Sequence, residues 1–97
     1  AEADARAREI LIGAGHGAAL RHRLGHGIDT ECHGSGANLD SVEFPDRRLL
    51  VEGSCFSIEP GIYFEDFGLR TEIDVYIRDG EAVVSGGTPQ TRLLLCR

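Results

Sequence analysis

The sequence predicts an α+β domain with one N-terminal helix and a mainly antiparallel sheet. Three observations favour this class: a helical apolar stripe in residues 2–14, alternating strand patterns in residues 55–59 and 69–77, and the hairpin signal Asp79-Gly80. The 97 residues correspond to one domain, which can form a core with a small stability margin. A chain of this size can therefore need a partner surface to be stable.

The helix is predicted from the spacing of small and apolar residues near the start of the chain. They recur at i, i+4, i+7, i+8 and i+11, as Ala3, Ala7, Ile10, Leu11 and Ala14. Gly13 and Gly15 then supply a stop signal. We therefore predict one amphipathic helix that buries this stripe.

The segment after the helix is rich in Gly and His and carries weaker signals. Ala18-Ala19-Leu20 fits a strand that enters a tight turn better than it fits a second helix. Residues 34–48 combine Gly, Ser, Asn, Asp and Pro with no sustained period, which is typical of a loop.

Four strands are predicted in the second half of the chain. In residues 55–59 the apolar Phe56 and Ile58 share one face, and Pro60-Gly61 closes the strand with a turn. Residues 69–77 alternate throughout, with the apolar or β-branched residues on one face and Arg70, Glu72, Asp74 and Tyr76 on the other. After Asp79-Gly80 come two further predicted strands, in residues 82–84 and 92–95.

The predicted sheet face is more apolar than one helix can cover. Its members are Phe56, Ile58, Ile73, Val75 and Ile77. Such a face normally packs beneath helices. We therefore expect some of this apolar surface to be exposed in the isolated chain or covered by another chain.

Composition and charge exclude several classes of function. The net charge is −6 and all ten basic residues are Arg, which disfavours binding to nucleic acid or to an anionic membrane through a basic face. No apolar run approaches the length of a membrane helix. Three widely spaced cysteines with no C-x-x-C indicate reduced thiols, and we expect a cytoplasmic protein. Because the chain has no Met and begins in mid-pattern, we expect a piece of a longer polypeptide.

Three of the four His residues lie within twelve positions. His22 and His26 are four apart, which places them on one face of an extended segment, and His33 follows seven residues later. Gly25 and Gly27 flank His26 and remove side-chain bulk, so that a ligand could approach its imidazole. A single His is more often structural, and we interpret His16 in that way. The cluster favours a site.

Glu59 and Glu72 are the second candidate element, each on the polar side of a predicted strand. Any one of them alone is most simply a solvated surface residue. One imidazole and two carboxylates that converge at strand ends would, however, make half of a coordination shell for Mn²⁺, Co²⁺, Fe²⁺ or Zn²⁺. The residues by themselves therefore indicate a mixed His/carboxylate metal site and nothing more specific.

Three segments, in this order, carry a family resemblance: HRLGHGIDTECH (22–33), FSIEPGIY (56–63) and FGLRTEIDVYI (67–77). Together they resemble the C-terminal signature segments of the M24 metallopeptidases, the group of prolidase, aminopeptidase P and methionine aminopeptidase. The resemblance covers nearly the whole chain. It implies the C-terminal portion of a pita-bread (creatinase/aminopeptidase) fold, with a curved, mainly antiparallel sheet, and an upstream part of the catalytic domain that residues 1–97 do not contain.

The resemblance also implies a role for each matching residue. His26, Glu59 and Glu72 match metal ligands for two divalent ions (Mn²⁺, Co²⁺ or Zn²⁺), and Glu59 also matches a group that handles the proton of the attacking water. His33 matches a His that hydrogen-bonds substrate and oxyanion, and His22 matches a substrate-side His of the prolidase and aminopeptidase P branch. Arg70 matches an Arg that pairs with carboxylates and orients them. The implied activity is hydrolysis of N-terminal peptide bonds, at X-Pro, by a homodimeric enzyme acting on peptides or dipeptides.

Some positions depart from the family pattern. The family has two Asp ligands upstream of these segments, and none of Asp4, Asp29, Asp40 and Asp46 has the expected sequence context. Gly34 and Ile73 stand where acidic residues are common, which leaves the subfamily open. Two alternatives therefore remain: a metal-free creatinase-like hydrolase, and a non-catalytic protein-binding module on the same fold. The presence of His26, Glu59 and Glu72 argues against both.

Overall fold

The computed structural model describes residues 1–96 and has the predicted α+β class. One helix, α1 (Glu2–Gly13), is followed by a short 3₁₀ helix (Gly17–Ala19) and six strands. The strands are β1 (Gly27–Ile28), β2 (Cys55–Ile58), β3 (Gly61–Tyr63), β4 (Gly68–Arg70), β5 (Ile73–Arg78) and β6 (Glu81–Val84). No helix in residues 1–96 is both long enough and apolar enough to cross a membrane.

The strands form two antiparallel sheets. The larger has the order β1-β2-β5-β6, with Phe56 opposite Val75 and Val75 opposite Val84. The smaller sheet pairs β3 with β4, so that Gly61 lies opposite Arg70. β5 and β6 are joined through Asp79 and Gly80, both with positive φ, as the predicted hairpin turn requires.

The core lies where β2 and β5 meet the segments before and after β1. Its four buried side chains are Leu24, Leu39, Phe56 and Val75. Ile58, Ile73 and Ile77 pack against this cluster and are partly buried. The predicted apolar sheet face is therefore the core face, and it is incompletely covered.

Large apolar side chains are also exposed outside this face. Phe44 is 79% exposed and Leu49 is 83% exposed, both in the irregular region between β1 and β2. The expectation that the predicted sheet face is exposed holds only in part, for the partly buried Ile58, Ile73 and Ile77; the most exposed apolar side chains lie elsewhere.

Four local predictions were wrong. Residues 18–20 form part of the 3₁₀ helix and its C-cap instead of a strand. The predicted strand 69–77 is two strands in different sheets, because the chain leaves β4 at Arg70 and enters β5 at Ile73. Residues 92–95 form no strand, and Leu93, Leu94 and Leu95 are exposed.

The fourth correction concerns the buried face of α1. Ile10 is 59% exposed, and the buried residue of the helix is Asp4. The Asp4 carboxylate accepts hydrogen bonds from the backbone N–H groups of Leu24 (2.6 Å) and Ser41 (2.9 Å), from the Ser41 hydroxyl and from Arg8 Nε. The helix therefore docks through a polar contact that joins three segments of the chain, and of the predicted apolar stripe only Ala7 packs against the core cluster.

The charge of Asp4 is stabilised by this network. Burial by itself would raise the pKa of the Asp4 carboxyl, but the hydrogen bonds from Ser41, Arg8 and Leu24 outweigh it and hold the pKa below the ordinary value of 3.8. Arg8 also donates to the backbone carbonyl of His22 at 2.9 Å. The Asp4–Arg8 pair therefore anchors the segment that leads to His26.

The loop in residues 34–48 is irregular, as predicted, but it is strongly bonded. Asp40 is fully buried and accepts from the N–H groups of Val42, Glu43 and Phe44. Asp46 pairs with Arg48, whose guanidinium also donates to the carbonyls of Ser35 and Gly36. The pairing lowers the pKa of the Asp46 carboxyl, and Arg48 ties the two ends of the loop together.

Candidate metal and substrate site

His26 is fixed by the backbone on both of its sides. Its N–H donates to Ser57 Oγ at 3.0 Å, and its carbonyl accepts from the Ser57 N–H at 2.9 Å. A Cβ atom on Gly25 would lie 1.9 Å from the Ser57 carbonyl oxygen, and one on Gly27 would lie 2.9 Å from Gly36. The two glycines therefore allow neighbouring backbone to approach, which corrects the interpretation that they open space for a ligand at the imidazole.

The orientation of the His26 ring leaves one nitrogen available. Nδ1 lies 3.0 Å from the Gly27 carbonyl, which can only accept, so Nδ1 carries the proton in the neutral ring. Nε2 then presents a lone pair and lies 3.3 Å from Glu59 Oε1. The imidazole is 9% exposed and the carboxylate 14%. Two acceptors that face one another with little solvent favour a cation between them.

Glu59 follows β2 and is held by both its backbone and its side chain. Its N–H donates to the Leu24 carbonyl at 2.7 Å, and its Oε1 accepts from Ser57 Oγ–H at 3.0 Å. Ser57, which is fully buried, thus joins the His26 backbone to the Glu59 carboxylate. Sequence reasoning missed Ser57, because a Ser within an alternating strand gives no sign that it is buried.

Arg70 lies between the two candidate carboxylates. Its guanidinium nitrogens are 3.6 Å from Glu59 Oε2 and 3.3 Å from Glu72 Oε2. Glu72 lies in the break between β4 and β5 and is 43% exposed, so it does not occupy the polar face of a continuous strand as predicted. The resulting order is His26, Glu59, Arg70, Glu72, each in contact with the next.

The donor set fits a divalent metal ion in part. The free Nε2 of His26 and the Glu59 carboxylate form the mixed N/O pair that such ions accept. Within residues 1–96, however, the only set of three His, Cys, Asp or Glu ligand atoms that all lie within 4.8 Å of one another comes from His26, Cys32 and His33. Glu72 is therefore linked to the other two predicted ligands through Arg70.

His33 is exposed at the surface, and its ring lies beside the buried ring of His26. The two ring centroids are 4.3 Å apart at an interplanar angle of 45°, and His33 is exposed. It can therefore reach a molecule that approaches His26 from solvent. Cys32 was interpreted as an ordinary thiol, although its position directly before His33 was a visible signal.

His22 belongs to a separate pair with Tyr63. His22 Nδ1 lies 2.8 Å from the Arg23 carbonyl, so that Nδ1 carries the proton, and Nε2 accepts from the Tyr63 hydroxyl at 2.7 Å. A Cβ atom on Gly61 would lie 2.9 Å from His22 Nε2, so only Gly allows this pair to form there. Tyr63 was not singled out from the sequence, and His16 packs against Phe64 as a structural residue.

Comparison with known proteins identifies the family of the chain. The sequence profile of metallopeptidase family M24 matches residues 1–79. The chain belongs to this family. Family membership implies divalent metal cofactors for the complete enzymes.

Individual relatives indicate which branch of the M24 family the chain is similar to. The chain is 46% identical over 81 residues to the Xaa-Pro dipeptidase of Lactobacillus delbrueckii subsp. lactis, a match that covers 81% of this chain and 21% of that protein. It is 38% identical over 82 residues to the Xaa-Pro dipeptidase of Pyrococcus furiosus, covering 84% of this chain and 22% of that one. The chain is a fragment of prolidase type by sequence.

Solved structures give the same result for the fold. An X-Pro aminopeptidase from Thermotoga maritima superposes with a TM-score of 0.79 at 36% identity, covering 91% of this chain and 24% of that one. The prolidase from Pyrococcus furiosus gives 0.79 at 35% identity, covering 90% and 25%. The antiparallel sheets and the helix therefore match those of prolidase structures, and the chain spans about a quarter or less of the relatives it matches.

Proposed function

We propose that this chain is the C-terminal part of an M24 catalytic domain whose complete protein hydrolyses the peptide bond after an N-terminal residue, at Xaa-Pro. The observation that carries the proposal is the pairing of a free His26 Nε2 with the Glu59 carboxylate in a nearly buried position. The names of the relatives, Xaa-Pro dipeptidase and X-Pro aminopeptidase, supply the substrate class.

His26, Glu59 and Glu72 are the proposed ligands, contributing to a site for two divalent ions such as Mn²⁺, Co²⁺ or Zn²⁺. When bound, such ions lower the pKa of water and polarise the scissile carbonyl. The chain's own contribution is orientation. Ser57 holds Glu59 Oε1 beside His26. Arg70 contacts Glu59 Oε2 and Glu72 Oε2 and so orients both carboxylates.

Glu59 is also the proposed carrier of the proton released by the attacking water. Its Oε1 already accepts a hydrogen bond from Ser57, so Oε2 is the oxygen that would take the proton. A short movement would let Oε2 leave Arg70 and contact the proton donor instead. The contact with Arg70, at 3.6 Å, is the loosest in the cluster.

His33 and His22 are the proposed substrate-side groups. His33 is exposed beside His26 and can donate a hydrogen bond to the carbonyl oxygen as negative charge develops there. His22 is held by Tyr63 and the Arg23 carbonyl, and can contact the substrate next to the site. Arg70 is half exposed and can also meet the substrate, which we expect to be a peptide or dipeptide.

The remaining proposals concern the whole protein. We propose that it is a cytoplasmic homodimer, that the rest of its catalytic domain covers exposed apolar residues such as Phe44 and Leu49, and that this part also supplies the missing Asp ligands. The presence of the three ligand residues favours a metallopeptidase over a metal-free creatinase-like hydrolase or a binding module.

The deciding experiment measures bound metal and hydrolysis together in the full-length protein. Metal-free protein should gain hydrolysis of an Xaa-Pro dipeptide when Mn²⁺ or Co²⁺ is added, and should act much more slowly on a dipeptide with Ala in place of Pro. A protein that binds metal but hydrolyses neither dipeptide would exclude the proposed activity.

A further inference from the structure

Cys32 lies next to the proposed hydrolytic centre and has no part in it. Its sulfur and one nitrogen each of His26 and His33 all lie within 4.8 Å of one another. Cys32 and His33 are exposed, whereas His26 is buried. The thiol is therefore accessible from solvent at the same edge of the site where a substrate would approach.

The three side chains form a softer donor set than the carboxylates. A thiolate with two imidazoles is a ligand set that selects Zn²⁺ and similar thiophilic ions, whereas Mn²⁺ prefers carboxylate oxygens. In the tetrahedral geometry that Zn²⁺ prefers, bonds of about 2.0 to 2.3 Å place the ligand atoms roughly 3.3 to 3.8 Å apart. Because Cys32 and His33 are at the surface, small side-chain rotations can close the remaining difference.

We propose that Cys32, His33 and His26 form a second metal site, specific for a soft divalent ion such as Zn²⁺ or Cd²⁺. Binding forms a metal–sulfur bond and releases the thiol proton to solvent. Because His26 Nδ1 is occupied by the Gly27 carbonyl, the ion must use Nε2, the same atom that faces Glu59. The soft site and the His26–Glu59 site therefore exclude one another.

This exclusion has a consequence that rests on the proposed function. A soft ion would remove His26 from the hydrolytic centre and would also hold His33 away from the substrate. Excess Zn²⁺ should therefore inhibit hydrolysis, and the inhibition should depend on Cys32.

The binding test uses the full-length, metal-free protein and Cd²⁺, and does not depend on activity. Cd²⁺ should produce the ultraviolet absorption band of a thiolate–cadmium bond, saturating at one ion per chain. Cys32→Ser should abolish the band. It should also weaken Cd²⁺ binding at this site at least about tenfold, because removing even a residue that only hydrogen-bonds a ligand costs that much. Cys96→Ser, at another exposed cysteine, is the matched control and should keep both.

A second variant guards against an uninformative result from Cys32→Ser. His33→Gln should keep the thiolate band but bind Cd²⁺ at least about tenfold more weakly, since one of three ligands is lost. If the wild-type protein gives no band, or if Cys32→Ser binds Cd²⁺ with the same band and affinity, the soft site does not exist.

The activity arm separates this inference from the proposed function. For each variant, the rate with excess Zn²⁺ is divided by its own rate with Mn²⁺ alone. Inhibition should be relieved in Cys32→Ser and retained in Cys96→Ser. A Cys32-dependent cadmium band without any peptide hydrolysis would overturn the proposed function and support the soft site. Peptide hydrolysis without that band would support the proposed function and overturn the soft site.

Discussion

The two sides of the candidate site differ in how they are held. The His26–Glu59 side is nearly buried and fixed by backbone hydrogen bonds to Ser57 and Leu24. On the other side, Arg70 ends β4 and Glu72 lies in the break before β5. Their side chains are about half exposed and are held by ion pairs. Exposed ion pairs contribute about 0 to 1 kcal/mol each, so this second side is weakly fixed by comparison.

The difference separates residues whose position comes from folding from residues whose position depends on a ligand. His26 and Glu59 are arranged before any ion binds, because moving either would break buried hydrogen bonds. Glu72, His33 and Cys32 can adjust. The proposed site therefore combines a rigid pair with adjustable partners, and each of the following substitutions tests one part of that contrast.

The largest effect is expected for His26→Ala on the rigid side. Loss of a residue that only hydrogen-bonds a metal ligand typically lowers metal affinity about 10- to 100-fold, and loss of the ligand itself should lower it further. Activity should fall together with metal occupancy. Metal analysis and steady-state rates on an Xaa-Pro dipeptide measure both. His16→Ala, at the His that packs on Phe64, is the control. Full metal occupancy in His26→Ala would remove His26 from the ligand set.

His33→Ala tests the adjustable side. It should leave most of the metal bound in Mn²⁺ while kcat falls by about 10²- to 10³-fold, the loss typical of removing one oxyanion donor. If the substitution strips the metal as fully as His26→Ala does, or costs less than about tenfold in kcat, the proposed role of His33 is wrong.

Ser57→Ala asks whether the rigid pair depends on its buried bridge. The hydroxyl accepts from the His26 N–H and donates to Glu59, so its loss should weaken metal binding by about 10- to 100-fold. The unfolding free energy should fall by about 1 to 3 kcal/mol, because a buried donor is left unpaired. Ser35→Ala, at an exposed serine, is the control. Unchanged affinity in Ser57→Ala would show that Glu59 needs no bridge.

Asp4 is expected to have the smallest effect on metal binding and activity, and it is tested through stability and its pH dependence. Because its pKa in the folded state lies below the ordinary 3.8, its contribution is complete above about pH 4 and is lost as pH falls through the lowered folded pKa. Asp4→Asn should cost about 1.5 to 3 kcal/mol near pH 7 and less in acid. Denaturant unfolding from pH 7 down to pH 2 would show this. Asp66→Asn, at an exposed carboxylate, should show neither change.

The sequence by itself determined several of the local elements and the identity of the candidate residues. The alternation in residues 55–59 and the Asp79-Gly80 turn predicted β2 and the β5–β6 hairpin, because side-chain alternation and turn chemistry depend only on neighbours along the chain. The three motif segments predicted the family, and with it the ligand candidates His26, Glu59 and Glu72. These ligand roles stay predictions.

Only the tertiary structure decided how those residues meet. Ser57 contacts His26, Arg70 contacts Glu59 and Asp4 contacts Leu24, and each of these contacts joins two separate segments of the chain. The break between β4 and β5, where Glu72 lies, also arises from tertiary structure, since β4 pairs with β3 and β5 pairs with β2. A periodic pattern records which residues share a face of one strand, but it contains no information on which strand or loop lies opposite.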